Sequence, residues 1–256
     1  MRVCSVSALA LLVSVVLAAP RPPVRQQEVP LGFVLIGDST TNNGTTLNSG
    51  GWSNGFCASL ADVENVYCMN EAHNGATTGS TISSGQFDHA LDTIKTFVAD
   101  GKKTYVTVQF GHNDMKIATP ESMGANLTIM IDAIRAAGGL PILVTSLTRR
   151  SFNADGTIAD TLQPWADETL LIAQQEGTLS IDLHADSIAY CEAIGPDACH
   201  RLNRSETDNT HLNENGMTVF GRMVALLVKA VLPDCLELVE NDTLDYDLKN
   251  GLPAYR

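Results

Sequence analysis

Basic residues are scarce in this chain. Sixteen Lys and Arg stand against 29 Asp and Glu, leaving a formal net charge of −13. That balance excludes sequence-independent nucleic-acid binding, which needs cations to neutralise phosphates. It also excludes a polybasic membrane-facing surface. Aromatic residues are few, at 5%, so stacking platforms for gripping sugars are limited. Six cysteines in 256 residues are too few for a disulfide-built miniprotein, and no C-x-x-C pair suggests a metal site. P-loop, dinucleotide fingerprint and H-E-x-x-H are all missing. After the N-terminal segment no apolar run can span a bilayer, because Lys229 interrupts the most apolar one, at 223–232. Apolar side chains are plentiful, at 44% of residues, which excludes disorder and supplies the core of one domain.

Met1-Arg2 is a short basic start, followed by an uncharged apolar stretch that ends in small residues before Pro20. It reads as a secretory signal over residues 1–18, so a secreted, extracellular protein is expected. Residues 19–31 form a proline-rich lead-in, 32–233 one domain, and 234–256 an acidic C-terminal tail expected to be solvated. Secretion permits disulfides. Cys191 with Cys199 is the first pairing expected and Cys57 with Cys68 the next, leaving Cys235 odd; spacing alone does not decide the connectivity. Sequons at Asn43, Asn126, Asn203 and Asn241 make some glycosylation expected.

Short apolar, branched runs alternate with amphipathic stretches. Strands are expected within 32–37, 63–69, 105–110, 141–145 and 179–181. Helices are expected within 51–61, around Phe87 to Val98, around Leu127 to Ala137, over 165–175, and last over 213–232. This alternation implies an α/β fold with a parallel sheet and helices on both faces. Such sheets place their sites at the carboxyl ends of the strands.

Four polar clusters fall at those ends or before the last helix. They are Gly37-Asp38-Ser39-Thr40, Asn74-Gly75-Ala76, Gly111-His112-Asn113-Asp114 and Asp208-Asn209-Thr210-His211. Together they supply the parts of acyl transfer. A serine hydroxyl needs a base to accept its proton. Histidine is the usual base, oriented by a carboxylate on its other nitrogen. Asp208 and His211 lie three apart, so one turn brings both side chains to one side. Backbone N–H groups of Ser39 and Gly75 and the Asn113 amide can face an oxyanion. The remaining histidines, His73, His89, His184 and His200, lack metal-ligand spacing. Gly51-Trp52-Ser53-Asn54-Gly55 fits the G-x-S-x-G pattern, but the residues before it are polar and turn-like, so Ser53 is not the nucleophile.

The four blocks resemble those of the SGNH (GDSL-type) hydrolase family, matching Ser39, Gly75, Asn113 and Asp208 with His211. Gly-Asp-Ser-Thr in place of Gly-Asp-Ser-Leu is similar to the rhamnogalacturonan acetylesterase branch. So are Gly51-Trp52, Asn70-Glu71-Ala72, Phe110 to Asp114 and Thr210-His211. The resemblance implies a three-layer αβα sandwich with a five-stranded parallel sheet, the flavodoxin-like SGNH hydrolase fold. It implies no cofactor and no metal, and ester hydrolysis through an acyl-enzyme on Ser39. Ser39, Asp208 and His211 are the expected catalytic residues, and Ser39, Gly75 and Asn113 the expected oxyanion hole. Asp38, Thr40, Asn74 and His112 are the expected substrate-binding set, with Asp38 expected to orient the turn rather than do chemistry and His112 open equally to a structural hydrogen-bonding role. Arg149 and Arg150 are candidates to hold an acidic sugar, with exposed loop arginines as the alternative.

An acetylated polysaccharide, rhamnogalacturonan of plant pectin, is the substrate this reading expects, acted on by a monomer. Two rivals stand beside it: an esterase or lipase of other acyl specificity, and a non-catalytic secreted glycan-binding protein. The complete triad and the low aromatic content argue against the binder. No long apolar loop is present to form a lipase lid.

Overall fold

The structure is a computed structural model that describes residues 29–44 and 49–255. The expected signal and most of the proline-rich lead-in lie outside the described residues. Five parallel strands form one sheet: β1 (Leu31–Gly37), β2 (Val66–Asn70), β3 (Lys103–Gln109), β4 (Leu140–Val144) and β5 (Leu179–Ile181). Their spatial order is β2-β1-β3-β4-β5. Among the described residues eight α-helices accompany them: α1 (Ser53–Ser59), α2 (Thr78–Ser83), α3 (Gln86–Ala99), α4 (Pro120–Ala136), α5 (Gln163–Gln175), α6 (Leu183–His200), α7 (Glu214–Val231) and α8 (Asp242–Lys249). No helix among the described residues is long and apolar enough to cross a membrane.

The strand period of two sends neighbouring side chains to opposite faces. Phe33, Leu35, Tyr105, Ile142 and Val144 fall in one apolar cluster, with Phe56 of α1, Tyr190 of α6 and Phe220 of α7. Val34, Ile36, Val106, Val108 and Leu143 fall in the other, with Ile94 of α3, Met130 and Ile134 of α4, and Ile172 of α5. The result is the three-layer αβα sandwich, with a core on each side of the sheet. Every residue of β1 is buried, as a central strand covered on both faces requires. β2 alternates between half-buried and exposed positions, which fits its place at the edge.

The chain leaves β1 for β2 on one side and then crosses to β3 on the other. The carboxyl ends of β1 and β3 are therefore the topological switch point, where a crevice opens. All five expected strands occur, displaced by a few residues at their ends. α2, α6 and α8 were not expected. α6 hides because Gly195 adopts φ 78° before Pro196, kinking the element. The acidic segment after Asp234, expected as a solvated tail, instead carries α8 back onto α7. Arg222 clamps Asp245 through Nε at 2.6 Å and Nη2 at 2.7 Å, and Leu236 and Leu244 are buried. Disulfides join Cys57 to Cys68 and Cys191 to Cys199, while Cys235 is free and exposed.

Candidate active site

β1 ends at Gly37, and the chain turns at once. The Asp38 Oδ1 accepts from Thr40 N–H and from the Thr40 hydroxyl, both at 2.8 Å. The Asp38 carbonyl accepts from Thr41 and Asn42 N–H. This doubly closed turn presents Ser39, the half-exposed residue between two buried ones, at the sheet edge. A side chain at position 37 would strike Thr41 Oγ1 at 2.5 Å and the Gln109 carbonyl at 2.8 Å, so glycine is needed there.

Ser39 Oγ lies 3.0 Å from His211 Nε2. His211 Nδ1 lies 3.0 Å from Asp208 Oδ2 and 3.1 Å from Oδ1. An ionised carboxylate only accepts, so Nδ1 carries the proton and Nε2 is left to accept from the serine. Asp208 also accepts the N–H groups of Thr210 at 3.1 Å and His211 at 3.0 Å, and Arg204 reaches its Oδ2 at 2.6 Å. Burial pushes the Asp208 carboxyl up, but the hydrogen bonds from His211 and Thr210 and the charge of His211 outweigh it and bring it down to about 2. The carboxylate therefore stays ionised wherever the imidazole works.

Arg150 braces the loop that carries this pair. It is fully buried, and its guanidinium donates to the Asn203 side chain, to Thr148 O at 3.3 Å and to His211 O at 2.9 Å. Burial lowers it to about 9, opposed by Asp208. Arg150 is thus withdrawn from any ligand, contrary to its candidacy as a sugar-holding residue. Asn203 is equally committed, since its amide also donates to Asn209 at 3.0 Å.

Gly75 follows β2 in the left-handed region, φ 75°. Asn113 follows β3. Its Oδ1 accepts from Lys116 Nζ at 2.8 Å, and one amide hydrogen goes to Ala76 O at 3.1 Å. That leaves the second amide hydrogen without a partner among the described residues, on a side chain that lines the cavity. The cavity over Ser39 has a volume of about 420 Å³ and is lined by Ser39, Asn74, Gly75, His112, Asn113 and His211 together with Lys116, Arg149 and Arg204. Larger hollows of about 520 and 680 Å³ lie elsewhere and contain no serine–histidine pair.

The structure brings Ser39, Gly75, Asn113, Asp208 and His211 together as expected. It also leaves Asn74 exposed at the cavity, accepting from Asn42. Asp38 and Thr40 depart from their expected place. Both are fully buried and line no part of the cavity, because their polar groups close the turn beneath Ser39. Burial raises the Asp38 carboxyl to about 6 against the pull of Thr40, with Asp114 adding to the rise. His112 lines the cavity yet is almost wholly buried. Its Nδ1 lies 3.9 Å from Asp38 Oδ2, and burial and the charge of Arg149 hold it neutral, well below its ordinary range.

Gln109, at the end of β3, is a site residue that the motifs do not contain. Its Oε1 accepts from Thr41 Oγ1 at 2.6 Å and Trp52 Nε1 at 2.8 Å, and lies 3.1 Å from Thr40 Oγ1, whose single proton is closer to Asp38. A buried glutamine closing an apolar strand is the only sign of it in the sequence. Asn70, at the end of β2, ties in the same turn through Thr41 O at 3.1 Å and Ser53 Oγ at 2.6 Å. Ser53 is fully buried and its hydroxyl donates to Asn43 Oδ1 at 2.9 Å, in keeping with its rejection as nucleophile. Among the described residues no three His, Cys, Asp or Glu gather as a metal site.

A parallel five-stranded sheet whose switch point presents a serine, a histidine and a paired aspartate defines the class: an SGNH-type hydrolase. The chain belongs to the GDSL-like lipase/acylhydrolase family, whose model matches residues 35–219, and is a carboxylic ester hydrolase. It is 32% identical over 213 residues to the rhamnogalacturonan acetylesterase RhgT of Bacillus subtilis, covering 77% of this chain and 88% of that one. The solved structure of YxiM from the same bacterium superposes with a TM-score of 0.69 at 21% identity, covering 81% of this chain. This chain spans only 58% of that one's length. Axe2, an acetylxylan esterase from Geobacillus stearothermophilus, superposes at 0.56 and 16% identity, covering 80% of this chain and 95% of that one.

Proposed function

We propose that the protein is a secreted serine esterase that removes O-acetyl groups from plant cell-wall polysaccharide, with pectic rhamnogalacturonan as substrate. The observation that carries the reading is the unbroken chain from Ser39 Oγ through His211 to Asp208, each link about 3 Å. Ser39 Oγ attacks the ester carbonyl while His211 Nε2 takes its proton. The tetrahedral oxyanion receives the N–H groups of Ser39 and Gly75 and the free amide hydrogen of Asn113. Collapse expels the sugar alcohol, which leaves with the proton from His211. Water then gives a proton to the same nitrogen, attacks the acyl-enzyme and releases acetate with Ser39 restored. Asp208 holds the ring and offsets its charge at each stage.

The small acyl group is supported by what the cavity lacks. Among the described residues no Val, Leu, Ile, Met or Phe lines it, so a long acyl chain would find no apolar wall to bury against there. Amides, hydroxyls and cations suit a sugar instead. Similarity to a protein named for rhamnogalacturonan supports the polymer. Two disulfides support an oxidising compartment. The test is acetate release from acetylated rhamnogalacturonan, homogalacturonan and xylan, with Ser39→Ala as control. Rhamnogalacturonan should be fastest, and the variant should lose at least about a thousandfold in kcat. Preference for xylan overturns the substrate, and full activity in Ser39→Ala overturns the nucleophile.

A further inference from the structure

The catalytic cavity contradicts the charge of the molecule that holds it. Net charge is −13, yet Lys116, Arg149 and Arg204 all line this cavity and, among the described residues, no Asp or Glu does. Two of the three cations are already engaged. Arg204 pairs with Asp208 at 2.6 Å, and Lys116 Nζ donates to Asn113 Oδ1 at 2.8 Å. Arg149 is different. It is half-buried, and among the described residues no carboxylate lies within ion-pair reach of it. Its Nη2 reaches His112 O at 3.3 Å and the Met115 sulfur at 3.5 Å, and Nη1 reaches Thr210 Oγ1 at 3.5 Å. All three contacts are long and go to neutral atoms. Its Nε is buried with no partner at all.

A guanidinium partly removed from water, without an anion and with its terminal nitrogens held only by long contacts, is poised to pair through those nitrogens with an incoming carboxylate. Its contacts run to His112 and Thr210, the neighbours of Asn113 and His211. They fix it against the wall of the reacting centre rather than out on the rim.

We propose that Arg149 is a carboxylate-binding subsite that selects esters borne on or beside a uronic acid. The proposal rests on the esterase reading above and adds to it the group that sets substrate choice. The uronate oxygens pair with the guanidinium, and Lys116 contributes a second positive charge at the cavity edge. The pairing acts before the chemical step, so it appears in binding.

The test uses full-length Ser39→Ala protein, which binds without turning over. Calorimetry compares an acetylated oligosaccharide containing galacturonic acid with its carboxyl-reduced counterpart. The acidic ligand should bind about tenfold more tightly, the scale of one charge-assisted pair. Adding Arg149→Gln should erase that difference, and Arg149→Lys should restore part of it, since the charge returns without the fork. Equal affinity for the two ligands before Arg149 is changed overturns the proposal. So does a preference that survives Arg149→Gln in a protein whose melting temperature is unaltered. Hydrolysis by the unsubstituted enzyme is scored separately. Selective binding without acetate release overturns the esterase reading and leaves the subsite standing, whereas acetate release without selective binding overturns the subsite alone.

Discussion

Asp38 lies one residue before Ser39, fully buried, with Oδ1 satisfied twice by Thr40 and Oδ2 without a partner. Burial is the dominant influence and raises its pKa from 3.8 to about 6. A raised carboxyl binds its proton more tightly when folded, so its stabilising contribution is complete below pH 3.8 and is lost as pH rises through about 6. Asp38→Asn should remove this loss. The amide oxygen can still accept both Thr40 donors, and the amide NH2 faces His112. Relative to the parent the variant should gain about 3 kcal/mol by neutral pH, the shift taken at about 1.36 kcal/mol per unit, with little gain at pH 3.8. Urea unfolding across this range checks it, and parallel curves for the two proteins would sink the argument. At this scale the sequence reveals reacting groups better than their supports. Ser39, Gly75, Asn113, Asp208 and His211 are legible because their residue types carry the chemistry. Gln109 and Arg150 are not, because their meaning comes from partners such as Trp52 and His211, 57 and 61 residues away. Asp38 and Thr40 flank Ser39 in sequence, yet the tight turn sends both side chains inward, where Asp38 orients the turn.

Among the elements, the crossing of α1 and α7 has the least tolerance. A Cβ at Gly221 would collide with the Gly55 backbone and meet Phe56 N at 2.5 Å, and none of those atoms can swing aside. α1 begins beside Trp52, whose indole holds Gln109 beneath the nucleophile turn, so displacement of α1 reaches the site. Gly221→Ala should therefore cost about 1–3 kcal/mol of stability and lower kcat, read by thermal melting and acetate release. Gly79→Ala in α2 is the contrasting change. Its Cβ would meet only Asn126 Nδ2 at 3.5 Å, ordinary contact, and alanine is the better helix former. It should be neutral or stabilising by up to about 1 kcal/mol. Similar losses at both positions would show that close packing at the crossing is not what matters. Periodicity reveals α3, α4, α5 and α7 because each buries one continuous stripe. It misses α6, whose kink at Gly195 breaks the stripe, and α8, whose anchors are an ion pair and the single buried Leu244. The sheet is legible because β1, buried throughout, is an unbroken apolar run, and β3, buried from Thr104 onward, alternates valines with threonine and ends in Gln109.

For the whole molecule, charge acts in two opposite ways at two ranges. A net charge of −13 would repel a long polyuronate, while the proposed subsite at Arg149, with Lys116, would attract a single uronate entering the cavity. Composition reveals the first and hides the second, because counting residues cannot show which ones share a wall. Salt separates them. The screening length shortens from about 30 Å at 0.01 M to about 8 Å at 0.15 M. Long-range repulsion is lost first, since it sums over charges spread across the surface. The cavity pair is closer and partly buried, so it weakens less but in the opposite sense. Between these salt concentrations, KM for acetylated rhamnogalacturonan polymer should fall as the repelled chain gains access. Over the same interval KM for an acetylated monosaccharide uronate should rise, because so small a ligand feels the cavity more than the distant surface. A neutral acetylated monosaccharide should respond to neither change. Initial rates on the three substrates at a fixed pH decide it: the polymer and the monosaccharide uronate shifting in the same direction would mean that one field governs both, and that the local cations do not offset the acidic surface.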